Sequence, residues 1–270
     1  MTIAEARKIT LSHLQRARDA GERFTCLTAY DAGFARILDD AGVEVILVGD
    51  SLGMVVQGWD STLPVSMDHM VYHAAMVSRA TRRALVMVDM PFMSFATPEQ
   101  ALTNAARLMA EGGAQMVKLE GTARQAEVVA RLTDNGVPVC AHLGLRPQFV
   151  HKLGGYRVQG RNDETAAAMI EDARALEQAG ADVLLVESVP SSLAVALRGA
   201  VSAPVIGIGA GPSCDAQVLV LYDLLGITPG RIPRFAKDYL ADGGTIRQAV
   251  ARYVADVRGG RFPDADHSFD

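Results

Sequence analysis

Short apolar runs that end in an acidic residue recur along the chain. In three copies a helix-like segment ends at glycine, and the run that follows ends at Asp50, Glu120 or Glu187. A fourth run, 84–89, lacks the glycine but ends in the same way at Asp89. Nearly continuous apolar runs of this length are typical of strands that are buried on both faces of a parallel sheet covered by helices. The pattern therefore predicts strands whose C-terminal ends carry acids.

Eight strand segments can be read from the pattern, with helix-like segments between them. The predicted strands are 24–30, 43–51, 84–90, 114–121, 137–143, 182–188, 204–209 and 217–224. Eight βα units without a break predict a closed (β/α)8 barrel, with an open doubly wound sheet as the alternative. Segment 9–20 is predicted to be a short helix that caps the barrel floor. The 270 residues suit one barrel domain over 1–270, since such barrels commonly take roughly 250 residues.

Composition narrows the class of protein. The net charge of −5, without a basic stripe, argues against a nucleic-acid partner. Three widely spaced cysteines, Cys26, Cys140 and Cys214, suggest reduced thiols and a cytoplasmic location. No run approaches the ~18 apolar residues of a membrane span, and 1–10 is too polar for a signal peptide. We therefore expect a cytoplasmic protein that acts on small molecules.

The strand-end acids are the candidate catalytic groups, because barrel enzymes place their chemistry at the C-terminal ends of the strands. Several carboxylates at one barrel mouth repel each other unless protons, basic groups or a cation compensate their charge. Oxygen ligands without matching cysteines favour Mg²⁺ or Mn²⁺ over zinc. The alternative for any single acid is that it caps the following helix.

Two further polar residues lie on the predicted strands beside the acids. Lys118 and Glu120 are two positions apart, so their side chains leave the same face, and an ammonium there suits an anionic substrate. The alternative is a simple Lys118–Glu120 salt bridge. His142 near the end of the fifth strand suits a structural hydrogen bond and a catalytic role equally well.

Other segments carry weaker signals. Stretch 144–163 is rich in glycine and basic residues and is predicted to be an irregular, mobile lid. His69 and His73 have the spacing of zinc ligands on a helix, but a surface or packing role is the better interpretation because Met70 stands where a zinc protease would need glutamate. The glycines of 207–211 indicate close approach of the backbone to a ligand.

Several segments of the chain resemble one enzyme family, ketopantoate hydroxymethyltransferase. They are VGDSLGMVVQGWDSTLPV (48–65), DMPFMSFATPEQ (89–100), VKLEG (117–121), AHLGLRPQ (141–148), GGYRVQGR (154–161) and IGIGAG (206–211). The resemblance extends in order over nearly the whole chain. It implies a (β/α)8 barrel of the phosphoenolpyruvate/pyruvate-binding type.

The resemblance also implies a reaction. A hydroxymethyl group passes from 5,10-methylenetetrahydrofolate to 3-methyl-2-oxobutanoate, through an enolate stabilised by Mg²⁺, and gives 2-dehydropantoate (ketopantoate) for pantothenate and coenzyme A biosynthesis. It further implies a homo-oligomer, a decamer built as a pentamer of dimers, with one Mg²⁺ in each subunit.

The roles of individual residues follow from the same resemblance. Asp50, Asp89 and Glu120 would hold Mg²⁺. Asp50, Ser51, Asp89 and Lys118 would position the oxo acid. Glu187 would accept the proton, and His142 is a possible supporting residue.

Other functions use parts of the same pattern. A Mg²⁺-dependent oxo-acid lyase or mutase would share Asp50, Asp89 and Glu120. A sugar isomerase that binds phosphate would rest on the glycines at 207–211 alone. A non-catalytic barrel would have no need for four strand-end acids together with Lys118.

Overall fold

The computed structural model describes residues 8–230 and 232–270. Eight parallel strands close into a barrel, in which each strand pairs with the next and β8 pairs with β1. The strands are β1 Phe24–Thr28, β2 Val45–Val48, β3 Leu85–Asp89, β4 Met116–Glu120, β5 Val139–Gly144, β6 Val183–Glu187, β7 Val205–Ile208 and β8 Ala216–Leu219. The predicted (β/α)8 barrel is confirmed, and the open sheet is excluded because the β1–β8 seam is paired.

Helices connect the strands and cover the barrel. They are α1 Leu11–Asp19, α2 Ala32–Asp40, α3 Leu52–Val55, α4 Met67–Ala80, α5 Pro98–Ala110, α6 Ala126–Thr133, α7 Val150–Leu153, α8 Asp163–Gln178, α9 Ser191–Ala200, α10 Leu221–Leu224 and α11 Ile246–Arg258. Side chains that cap the first backbone N–H groups explain where several helices begin. The Asp31 carboxylate accepts the Phe34 N–H at 2.9 Å, and the Thr97 hydroxyl accepts the Gln100 N–H at 3.2 Å.

The predicted floor cap is α1 together with the residues around it. Leu14 is buried, and the Ile9 N–H donates to the Arg83 carbonyl at 2.7 Å just before β3 begins. The Arg18 guanidinium pairs with Asp215 at 2.6 Å just before β8. These partners lie at the N-terminal ends of the strands, so α1 covers the end of the barrel opposite the acids.

The C-terminal helix α11 covers the β1–β8 seam and was not predicted. The Tyr253 hydroxyl lies 2.8 Å from the Gln217 carbonyl on β8 and 3.0 Å from the Cys26 carbonyl on β1. The buried positions of α11 were visible in the sequence at helical spacing, at Ala249, Val250, Tyr253, Val254 and Val257. This spacing is the signal that predicts a helix there.

Two predicted segments differ from the structure. The eighth strand ends at Leu219, because the Leu221 N–H donates to the Thr28 hydroxyl at 2.8 Å and the chain turns into α10. The apolar run 217–224 could not by itself separate a strand from a short buried helix. The predicted irregular lid at 144–163 contains a 3₁₀ turn, Pro147–Phe149, and then α7.

Two expectations from composition can be compared with the described residues. Cys26, Cys140 and Cys214 are all buried and unpaired. Among residues 8–230 and 232–270 there is no helix that combines the length and the apolar character needed to cross a bilayer.

Candidate active site

The acids predicted from the strand ends meet at one mouth of the barrel. Asp50 follows β2 by two residues, and Asp89, Glu120 and Glu187 are the last residues of β3, β4 and β6. They line a cavity of about 990 Å³. The other predicted site residues, Ser51, Lys118 and His142, line the same cavity. The barrel therefore brings together all seven residues selected from the sequence.

A buried ion pair lies at the centre of the cluster. The Lys118 ammonium is 2.5 Å from Asp89 Oδ1, and the two residues are register partners on β4 and β3. Burial alone would lower the pKa of Lys118, but Asp89, Asp50 and Glu120 raise it above its ordinary value. The Lys118–Glu120 salt bridge considered from the sequence is replaced by this contact between strands.

Asp50 and Glu120 are held by the same residue, Gln148. The Gln148 side-chain amide donates to Asp50 Oδ2 at 2.8 Å, and its backbone N–H donates to Glu120 Oε2 at 3.0 Å. Burial and then the charge of Asp89 raise the pKa of Asp50 to about 7. Burial and then the charge of Asp50 raise the pKa of Glu120 well above its ordinary range. Both acids are thus easier to protonate than ordinary carboxyl groups, and they share the single ammonium of Lys118 with Asp89.

His142 lies between two of the acids. Its Nε2 is 3.3 Å from Glu187 Oε2, and its Nδ1 is 3.8 Å from Glu120 Oε1. Within the described part of the chain, neither ring nitrogen has a well-formed hydrogen bond. Burial, with Lys118 and Arg146, lowers the pKa of His142 well below its ordinary value. The ring is therefore a neutral imidazole between two carboxyl groups.

Glu187 is the acid best placed to meet a substrate. Its side chain is 15% exposed, compared with 4% for Asp89 and 2% for Glu120. Burial raises its pKa to about 8; Lys118 opposes this shift, whereas Asp50 and Asp89 add to it. A carboxyl group with a pKa near neutrality suits proton transfer.

Ser51 is positioned by a residue that the sequence did not single out. The Tyr30 hydroxyl lies 2.9 Å from Ser51 Oγ, and Tyr30 is almost fully buried at the end of β1. Gly49 makes this arrangement possible, because a Cβ there would lie 2.7 Å from Ser51 Oγ. The signal that was available for both residues was their place near a predicted strand end: Tyr30 is the last residue of the first predicted strand, and Gln148 lies in the loop after the fifth.

The donor set fits a hard divalent cation. Asp50 and Asp89 are neighbours, since the Asp50 N–H donates to Asp89 Oδ2 at 3.0 Å, and the cluster has excess negative charge. Over residues 8–230 and 232–270, no three Cys, His, Asp or Glu side chains are close enough to hold an ion together. Mg²⁺ is usually bound through one or two carboxylates and keeps several waters. Direct binding by Asp50, Asp89 and Glu120 together is thus not seen and stays a prediction.

The weaker sequence signals have structural explanations. The His69 side chain completes the cap of α4 with Ser66, and His73 Nδ1 lies 2.7 Å from the Tyr30 carbonyl. His69 is exposed and His73 is partly buried, which agrees with the expected surface or packing roles. The glycines at 207–211 approach protein side chains, since a Cβ at Gly207 would lie 2.7 Å from Cys214 Sγ.

A family model described as ketopantoate hydroxymethyltransferase matches residues 8–265. The chain belongs to the ketopantoate hydroxymethyltransferase family. It is 61% identical over 263 residues to 3-methyl-2-oxobutanoate hydroxymethyltransferase of Alkalilimnicola ehrlichii, covering 97% of this chain and 95% of the relative. It is 56% identical over 261 residues to the enzyme of that name from Marinobacter nauticus, covering 97% of this chain and 98% of the relative. These matches confirm the predicted hydroxymethyltransferase class over the lyase or mutase alternative.

Two solved structures with other enzyme names are similar in fold to this chain. Phosphonopyruvate hydrolase in complex with oxalate and Mg²⁺ has a TM-score of 0.61 at 14% identity and covers 78% of this chain and 80% of its own. A 2,3-dimethylmalate lyase of the phosphoenolpyruvate mutase/isocitrate lyase superfamily has a TM-score of 0.58 at 19% identity, with 80% and 82% covered. These likenesses show the closed barrel fold.

The raised pKa values predict that the metal-free protein becomes less stable as the pH rises. The pKa of Asp50 is raised from 3.8 to about 7, and the pKa of Glu187 from 4.5 to about 8. Between these values the folded protein binds more protons than the unfolded chain. We expect the free energy of unfolding, measured with urea and a chelator, to fall by roughly 2–4 kcal/mol from pH 6 to pH 9. Glu187→Gln should reduce this fall, and a stability that rises with pH would contradict the prediction.

Proposed function

We propose that the chain transfers a hydroxymethyl group from 5,10-methylenetetrahydrofolate to 3-methyl-2-oxobutanoate and so forms 2-dehydropantoate (ketopantoate) for pantothenate and coenzyme A biosynthesis. The observation that carries the proposal is the grouping of Asp50, Asp89, Lys118 and Glu187 at one barrel mouth, in a chain whose close relatives have this activity as their name. The cluster offers a cation site, a positive charge for the oxo-acid carboxylate and a separate base.

We propose one Mg²⁺ in each subunit. Asp50 and Asp89 would supply carboxylate ligands, and Glu120, the third predicted ligand, adds negative charge from the end of β4. The fit rests on the excess of buried carboxylates over ammonium groups in this cluster. The phosphonopyruvate hydrolase of similar fold was solved with Mg²⁺ and oxalate, a small dicarboxylate. When bound, Mg²⁺ would supply the positive charge that stabilises negative charge developing on the keto oxygen.

Lys118 and Ser51 orient the oxo acid, together with Asp50 and Asp89. The ammonium is fixed by Asp89 and remains protonated, so it can attract the substrate carboxylate. The Ser51 hydroxyl lies 2.9 Å from the Tyr30 hydroxyl, which holds it in a defined position. Holding the substrate in one geometry reduces the entropy that must be lost on the way to the transition state.

Glu187 removes the C3 proton of the oxo acid. It must be ionised to do so, and the positive charge of Lys118 favours that state. After the transfer the proton resides on Glu187, with the neutral His142 ring 3.3 Å away to accept a hydrogen bond at Nε2. His142 therefore supports the base without competing with it for the substrate proton, because its own pKa is lowered.

The outer part of the cavity accommodates the one-carbon donor. A volume of about 990 Å³ is far larger than a five-carbon oxo acid requires. Trp59 and Tyr156 are about half exposed and line this cavity together with Arg157. Aromatic faces suit stacking against a pteridine ring, and a guanidinium suits the carboxylates of the folate glutamate tail.

One assay tests the proposed function. Purified protein supplied with Mg²⁺, 3-methyl-2-oxobutanoate and methylenetetrahydrofolate should form ketopantoate, measured by mass spectrometry. Excess chelator should abolish the product and added Mg²⁺ should restore it, because the carboxylate cluster needs a cation. Omission of the folate is the control, since a lyase or mutase would not depend on it. Full activity in chelator would exclude the metal, and no ketopantoate under any condition would exclude the transferase.

Glu187→Gln should slow removal of the C3 proton by ~10² to 10⁴-fold, because the amide keeps the shape of the side chain and lacks basicity. The measurement is exchange of the C3 proton for deuterium in D₂O with Mg²⁺ and without folate. Calorimetry with 3-methyl-2-oxobutanoate is the control, and binding should be close to that of the parent. Exchange at the parental rate would assign the base elsewhere, with His142 as the next candidate.

We also propose a cytoplasmic homo-oligomer, a decamer as the family resemblance implies. Tyr72 and Val195 are 66% and 53% exposed, and such apolar side chains suit contacts between subunits. Light scattering of the purified protein should give a mass close to ten times 28.7 kDa. A monomer would contradict the proposal.

A further inference from the structure

Gln148 lies behind the acids and contacts three of the strand ends that form the mouth. It is 4% exposed and belongs to the 3₁₀ turn that follows β5. Its side-chain Nε2 donates to Asp50 Oδ2 at 2.8 Å and to the Met90 carbonyl at 2.9 Å. Its backbone N–H donates to Glu120 Oε2 at 3.0 Å. One residue therefore connects the chain after β2, the chain after β3 and the end of β4.

The orientation of the amide is determined by its partners. Asp50 Oδ2 and the Met90 carbonyl both accept, so the nitrogen and not the oxygen must face them. As a result, Gln148 Oε1 is buried with no hydrogen-bond partner in the described part of the chain. A buried acceptor without a partner is unfavourable for folding. The side chain is therefore oriented so that its nitrogen donates to Asp50 and Met90, although this leaves its oxygen without a partner.

The choice of an amide also matters for charge. A lysine or arginine at position 148 would hold Asp50 equally well, but it would neutralise the carboxylate and repel a cation. The neutral amide fixes the carboxylate without adding a positive charge that would neutralise it. Carboxylates that bind metals are commonly held by such hydrogen bonds from outside the ligand set, which orient them and tune their affinity.

We propose that Gln148 is a positioning residue for the cation site. By engaging Oδ2 it sets the direction of Asp50 Oδ1, and through its backbone N–H it sets the orientation of Glu120. It acts through these acids and does not line the cavity itself. The inference rests on the proposed function, because it assumes that the cation is Mg²⁺ bound at Asp50 and Asp89.

Gln148→Met tests the role, because methionine keeps the length and approximate volume of the side chain and removes the amide donor. The backbone N–H contact to Glu120 remains. Mg²⁺ affinity is measured by calorimetry on the full-length protein without substrate. We expect the dissociation constant to increase by about 10-fold or more, as is typical when a group that orients a metal ligand is removed.

Gln159→Met is the matched control. It makes the same chemical change in the same segment between β5 and α8, but the side-chain amide of Gln159 donates to the Arg157 carbonyl at 2.9 Å and to no acid within the described residues. We expect parental Mg²⁺ affinity for this variant. Gln148→Asn is the second test variant if the methionine variant does not fold, since its shorter side chain cannot place the nitrogen against both acceptors.

A kinetic measurement separates positioning from a general structural effect. In Gln148→Met the Mg²⁺ concentration for half-maximal activity should rise by about 10-fold, and saturating Mg²⁺ should restore most of the activity. A merely structural defect would lower activity at every Mg²⁺ concentration.

The outcomes distinguish this inference from the proposed function. If the parent binds Mg²⁺ and Gln148→Met binds it equally well, the role of Gln148 is overturned while the metal assignment stands. If Gln148→Met and Gln159→Met weaken binding to the same extent, the effect belongs to the whole segment and the role is also overturned. If the parent itself binds no Mg²⁺, the proposed metal is overturned first.

Discussion

The ion pair between Lys118 and Asp89 is the interaction on which the barrel mouth depends. It places one buried positive charge among several buried carboxylates, and it does so across two neighbouring strands in register. Burial raises the pKa values of Asp50, Glu120 and Glu187, and the neighbouring carboxylates add to the shifts because one ammonium cannot compensate all of the acids. A site with uncompensated negative charge is unfavourable for folding and favourable for binding a cation. The same feature that destabilises the metal-free protein therefore suits binding of the proposed cation.

Neighbouring titratable groups in the mouth have different proposed roles because their environments differ. His142 is kept neutral by burial and nearby cations, whereas Glu187, 3.3 Å away, is made easier to protonate. Pairs of titratable groups whose pKa values are moved by their surroundings are a common basis for acid and base assignments in enzymes. Glu187 also keeps more contact with the cavity than the acids around it, which suits a group that must reach a substrate. The proposed base is thus distinguished from the proposed metal ligands by exposure as well as by position.

Stability is supplied at the other end and at the seam of the barrel. The Arg18–Asp215 pair and α1 cover the floor, and Tyr253 of α11 bridges the carbonyls of β1 and β8. Because these contacts are remote from the acids, the mouth can carry unfavourable charge without loss of the fold. A rigid scaffold that supports an unfavourable site is a general property of enzymes.

The number and direction of the strands and the acids at their ends can be predicted from the sequence alone, because strand periodicity and length are local properties of the chain. The same reading selects Lys118 and His142, since residues two apart on a strand share a face. The folded barrel was needed to show that Lys118 pairs with Asp89 and not with Glu120, and that Gln148 holds Asp50 from 98 positions away. Such contacts depend on the register between strands and on the path of the loops. Neither is encoded in the local pattern of apolar and polar residues, so both can be seen only in the closed barrel.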